Sequence, residues 1–165
     1  SKGAGGSRFT VALPWRVPTG SAAAMVYPPR WPVATPNAAT PLLLIADDHP
    51  LVTATLHDWL TTQGFQTVIA QTGAEAIEKS CTLRPALLLI DMKLPTLDGL
   101  SILAALRKDP QLQATPIIAM SAIHWPGHEA PYLAAGANAY VCKPIGAKQL
   151  QALLRKWLPV GRNFS

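Results

Sequence analysis

Three acids, a lysine and a serine are the residues of this 165-residue sequence whose types and spacing could do chemistry. Asp47 and Asp48 follow the apolar run LLLIA, Asp91 closes ALLLI, Ser121 follows PIIAM, and Lys143 follows AYVC. A strand buried on both faces has no packing reason to finish on an acid. Three carboxylates brought close together repel and raise one another's pKa values unless a cation joins them. Lys143 and one divalent metal would bring the formal charge of such a cluster to zero. A set of oxygen ligands with few carboxylates suits Mg2+, which keeps several waters and takes up substrate phosphate oxygens. A metal beside a carboxylate, a lysine and a hydroxyl makes a phosphoryl-transfer site. Asp91 would be its nucleophile, forming an aspartyl phosphate; the metal and Lys143 would neutralise the phosphoryl oxygens, and Ser121 would donate a hydrogen bond to one of them.

That chemistry requires the five residues to meet, and the order of elements brings them together. LLLIA (42–46), QTVIA (66–70), ALLLI (86–90), PIIAM (116–120) and AYVC (139–142) read as strands. Helical patterns lie near 50–63, 73–83, 98–108, 127–135 and 146–158. Gly64 and Gly136 stop the first and fourth helices, Thr72 caps the second, and Pro159 ends the last. Strand and helix alternating five times imply a parallel sheet with helices on both faces, since each parallel crossover takes about a dozen residues. In such sheets ligands sit outside the carboxyl ends of the strands. Asp47, Asp48, Asp91, Ser121 and Lys143 all fall at those ends.

The first 41 residues differ from the rest. Pro14, Pro18, Pro28, Pro29, Pro32, Pro36 and Pro41 interrupt them and no apolar periodicity builds a core, so residues 16–41 read as a Pro-rich linker. The net charge of +5 invites a nucleic-acid partner, but Lys2, Arg8, Arg16 and Arg30 supply +4 of it, leaving 10 basic against 9 acidic residues in the remainder. Those bases are scattered and not interleaved with aromatics, and no direct nucleic-acid binding is expected. No stretch approaches the roughly 18 consecutive apolar residues of a membrane span. The opening SKGAGGSRF, without Met or an apolar core, reads as part of a longer chain. Cys81 and Cys142 lack metal-ligand spacing, which suits free thiols in the cytoplasm.

From Leu42 to about Leu158 the chain resembles a response-regulator receiver domain. The resemblance is carried by ADDHP, by LLLIDMKLPTLDG around Asp91, by IIAMSA around Ser121 and by AAGANAYVCKP ending in Lys143 and Pro144, in that order. It implies a flavodoxin-like doubly wound five-stranded parallel sheet in order 2-1-3-4-5. It also implies a phosphoacceptor in a two-component phosphorelay, which catalyses its own phosphorylation and dephosphorylation and takes its phosphoryl group from a histidine kinase or histidine phosphotransfer protein. On that resemblance Asp91 is the phosphorylated residue, Asp48 ligates Mg2+ directly, Asp47 largely through water, and the backbone carbonyl of Lys93 is a further ligand. Ser121 and Tyr140 resemble the family's switch pair, Lys143 binds the phosphoryl group, and the peptide before Pro144 is cis. Ile123 offers no polar group to position water, which implies a long-lived phosphate. GAGGSRFTVALPW resembles the last glycine box and final strand of a histidine-kinase ATP-binding domain, so residues 1–15 read as its remnant in a hybrid histidine kinase whose receiver spans 42–158, with 159–165 as a tail. Without the rest of that domain the chain is expected neither to bind ATP nor to autophosphorylate on histidine.

Other readings compete. Tyr140, an aromatic in an edge strand, is equally a packing residue. His49, His57, His124 and His128 have no ligand spacing and read as structural or solvent-exposed. Leu56, Trp59 and Leu60 read as helix packing. An aspartate-nucleophile phosphatase needs a second acid two residues after the nucleophile, where Lys93 stands. A flavin domain needs a phosphate loop after the first strand, where Asp47 and Asp48 would repel the phosphate. The seven residues after Leu158 are too few for a helix-turn-helix module. A phosphorylation-independent interaction domain remains the alternative to the phosphoacceptor.

Overall fold

A strand whose successive side chains are all apolar needs cover on both faces, because neighbouring side chains point to opposite sides. The computed structural model, which describes residues 40–158, provides that cover. Its elements run β1 (Leu42–Ala46), α1 (Pro50–Thr62), β2 (Gln66–Ala70), α2 (Gly73–Leu83), β3 (Leu87–Asp91), α3 (Gly99–Lys108), β4 (Ile117–Ser121), α4 (Ala130–Ala134), β5 (Ala139–Cys142) and α5 (Ala147–Trp157). The strands form one parallel sheet in the order β2-β1-β3-β4-β5. This is the expected flavodoxin-like topology.

Alternation along the strands divides the core in two. Leu43, Ile45, Leu87, Leu89, Ile118 and Met120 face Leu56 and Leu60 of α1 and Leu150 and Leu154 of α5. Leu44, Leu88, Ile90, Ile117 and Ala119 face Ala76 of α2 and Ile102, Leu103 and Leu106 of α3. Each fully buried Leu or Ile contributes about 1.5–3 kcal/mol relative to an exposed one. Trp59 packs partly buried against the first of these layers, in the helix-packing role its spacing suggests.

The expected boundaries hold with informative exceptions. α1 ends as expected at Gly64, whose φ of 82° lets the Gly64 and Phe65 N–H groups turn back onto the carbonyls of Thr61 and Leu60. Thr72 caps α2, its hydroxyl accepting from the Glu75 N–H at 3.2 Å. Asp98, which the sequence pattern does not mark, caps α3 by accepting from both the N–H and the hydroxyl of Ser101. The fourth helix, expected over 127–135, is helical only at Ala130–Ala134. Pro126 and Gly127, with φ of 87°, hold the preceding residues in turns, and Pro131 has no N–H to extend the helix backwards. At its far side Arg107 of α3 donates to the carbonyls of Leu112, Thr115 and Gly136 and to Asn138 Oδ1, fixing the turn into β5. Residues 1–39 and 159–165 lie outside the described residues, and with them the kinase remnant at 1–15, most of the linker at 16–41, the tail and the stop at Pro159. Among the described residues no helix is long and apolar enough to cross a membrane.

Candidate functional site

Parallel pairing in register sets the site. Ala46 pairs with Ile90, Asp91 with Met120 and Ser121 with Cys142, so all four strands stop at one edge. The ladder runs one residue further: Asp47 N–H donates to the Ala70 carbonyl at 3.0 Å, Met92 to Met120 at 2.9 Å and Lys143 to Ser121 at 2.7 Å. Each chemistry-bearing residue is therefore anchored through its own or its neighbour's main chain before its side chain makes any contact. Asp91 and Ser121 belong to their strands, one residue beyond the runs that the apolar pattern marks. Gly99 keeps the loop after Asp91 close, since a Cβ there would stand 2.6 Å from Met92 Sδ and 2.9 Å from Met92 Cα.

The acids converge as their positions suggest. Asp47, Asp48 and Asp91 each present a carboxylate oxygen within 4.8 Å of the others. Asp47 is fully buried, Asp91 nearly so, and Asp48 is exposed. One oxygen of Asp47 accepts from the His49 N–H at 2.9 Å, and one of Asp91 accepts from the Lys93 N–H at 2.9 Å. The other oxygen of each accepts from Lys143 Nζ. Burial alone would lower the Lys143 pKa; the hydrogen bonds and charges of Asp47 and Asp91 more than offset it and hold the pKa above the ordinary lysine value. Even so, three carboxylates against one ammonium leave two negative charges in excess. An all-oxygen donor set with that excess fits a hard divalent cation.

Around this centre Ser121 is buried and its Oγ accepts from the Ile123 N–H at 3.1 Å. Tyr140 is half-buried and its hydroxyl donates to the Ile123 carbonyl at 2.9 Å. Lys93 has an exposed side chain and meets the site through its main chain. The Lys143–Pro144 peptide is cis. Ser121 and Tyr140 thus bond to the two ends of one residue, Ile123. The sequence pattern marks neither that main-chain link nor Tyr132, and it assigns His128 a structural or exposed role; a spacing of four between His128 and Tyr132 is the one hint it carries.

A family model for the response regulator receiver domain matches residues 43–155. The chain belongs to that family. Among curated proteins the receiver is similar to the polar-differentiation response regulator DivK of Brucella anthropi, 29% identical over 116 residues that cover 70% of this chain and 94% of DivK. Among solved structures it is similar to the receiver domain of sensor histidine kinase PA1611 from Pseudomonas aeruginosa, a structure with a magnesium ion coordinated in the active site cleft. That likeness has 29% identity and a TM-score of 0.67, over 72% of this chain and 98% of that one. The BeF3-activated receiver domain of Klebsiella pneumoniae RstA is 26% identical with a TM-score of 0.66, over 72% and 99% of the two chains. The protein is a receiver domain of two-component systems.

Proposed function

We propose that this receiver takes a phosphoryl group from the phosphohistidine of a histidine kinase or histidine phosphotransfer protein onto Asp91. The observation that carries the reading is Lys143 Nζ bonded at once to Asp47 and Asp91 within a cluster of three acids. An oxygen of Asp91 attacks phosphorus, an O–P bond forms, and the P–N bond breaks with its electron pair passing to the imidazole nitrogen. Lys143 lies against the same carboxylate, so its ammonium meets the charge that develops on the phosphoryl oxygens. Ser121 donates its hydroxyl hydrogen to one of those oxygens. Asp47, Asp48, Asp91 and the backbone carbonyl of Lys93 would hold Mg2+. When bound, that ion supplies the positive charge which the acids lack and which the phosphoryl oxygens need.

Ser121 and Tyr140 would pass the change outward to the surface of α4, β5 and α5, where partners dock. Ile123, apolar beside the site, gives no group to orient an attacking water, so the phosphoaspartate is long-lived. The receiver would act in the cytoplasm. It would do so as the carboxyl-terminal receiver of a hybrid histidine kinase, an assignment supported by its likeness to the receiver of a sensor histidine kinase.

Intact mass after incubation with Mg2+ and acetyl phosphate tests the reading. One phosphoryl group is expected, and Asp91→Asn or a chelator should abolish it. A folded protein that takes up nothing, from acetyl phosphate or from phosphohistidine donors, would be a phosphorylation-independent interaction domain instead.

A further inference from the structure

Four rings meet where the β4–α4 loop, α4 and β5 come together. His128 stacks on Tyr132 with centroids 5.6 Å apart and planes at 23°. Tyr132 stacks on Tyr140 at 5.8 Å and 22°, and His128 closes the triangle against Tyr140 at 6.1 Å. Trp125, itself exposed, makes a T-shaped pair with His128 at a centroid separation of 6.1 Å. These are separations at which aromatic pairs attract beyond the area they bury.

Polar atoms give the stack a direction. A phenol has one hydrogen, and the Tyr140 hydroxyl commits its own to the Ile123 carbonyl at 2.9 Å. Nδ1 of His128 lies 3.3 Å from the same phenol oxygen. With the phenol hydrogen already used, the imidazole is the donor and Nδ1 carries a proton. Ile123 in turn gives its N–H to Ser121 Oγ. That bond occupies a lone pair of the hydroxyl and leaves its single hydrogen free to be donated.

We propose that His128 is a positioning residue of the phosphorylation switch: stacked on Tyr132 and donating to the Tyr140 hydroxyl, it holds that hydroxyl on Ile123 and so keeps Ser121 oriented as a donor. The inference rests on the reading of Asp91 as phosphoacceptor and of Ser121 and Tyr140 as its switch. Losing the hold leaves the Ser121 hydroxyl free to turn, and phosphorylation slows.

The test compares initial rates of phosphorylation by acetyl phosphate, read by intact mass, for wild type, His128→Phe and His128→Asn, each with Tyr140 and with Tyr140→Phe. Phenylalanine keeps the stacking and loses the N–H; asparagine places an amide N–H near the position of Nδ1. The rate should fall about threefold or more in His128→Phe and recover in His128→Asn, and His128→Phe should change nothing once Tyr140 is phenylalanine. Nitrogen NMR of the wild type, which depends on no variant folding, should place the His128 proton on Nδ1 and move it to Nε2 in Tyr140→Phe. Equal rates in wild type and His128→Phe, with Asp91→Asn still inactive, would overturn the inference and leave the phosphoacceptor reading standing. A wild-type His128 protonated on Nε2 alone would overturn it as well. A wild type that takes up no phosphoryl group defeats both.

Discussion

Replacing Asp48 with asparagine should make the metal-free protein more stable while weakening its hold on Mg2+. Asp48 faces the carboxylates of Asp47 and Asp91 and the single ammonium of Lys143, so one repulsion stays uncompensated. Unit charges 4.8 Å apart interact by about 1 kcal/mol in water and about 3.5 kcal/mol at the effective dielectric near a protein surface. Asp48 is exposed, and solvent screening keeps the gain toward the lower end, about 1–2 kcal/mol. Urea unfolding in EDTA should therefore show the midpoint of Asp48→Asn rising by about 1 M. In millimolar Mg2+ the order should close or reverse, because a ligand that binds only the folded state stabilises it and the variant has lost one ligand. If Asp48→Asn lowers the midpoint in EDTA, or keeps its full advantage in Mg2+, the account of crowded acids awaiting a cation is wrong.

Three further outcomes follow from the same geometry. Lys143→Met should be less stable than wild type at neutral pH. The raised pKa of Lys143 means that its stabilisation is complete below the ordinary value of 10.5 and is lost as pH rises through the folded-state value, so urea curves of the two proteins should converge only in strong alkali. Gly99→Ala forces a methyl against Met92 Sδ and Cα; a loss of about 1–3 kcal/mol in urea unfolding is expected, with slower phosphorylation because Met92 adjoins Asp91. Leu89→Ala, at a fully buried position of β3, should cost about 2–5 kcal/mol, with the divalent-cation response retained if the protein stays folded.

The site residues are legible in the sequence because each is a local exception: a carboxylate, hydroxyl or ammonium ending an apolar run. Parallel topology then brings them together without any further information. The same reasoning reaches Gly64 and Thr72, whose roles need only the residues beside them. It falls short at α4, where helical spacing over 127–135 competes with Pro126, Gly127 and Pro131, and the backbone constraints win ahead of Ala130, leaving a helix only at Ala130–Ala134. It misses the ring cluster for another reason. The contact of His128 with Tyr140 joins the β4–α4 loop to β5, and no periodicity along either segment encodes it.

α4 itself has five residues, none of them buried, and a proline in its first turn. A helix that short does not hold in water by itself. It stands on the Tyr132 ring and on the turn closed at Gly136, while the strands beside it are sealed between two layers of aliphatic side chains. Amide hydrogen exchange should register this as a gradient: Leu133 and Ala135, bonded to Glu129 and Pro131, should exchange through local opening long before Ile118 does. The face proposed to carry the signal outward thus lies over the element that opens most readily. A binding partner needs only a modest preference for one of its shapes to select it.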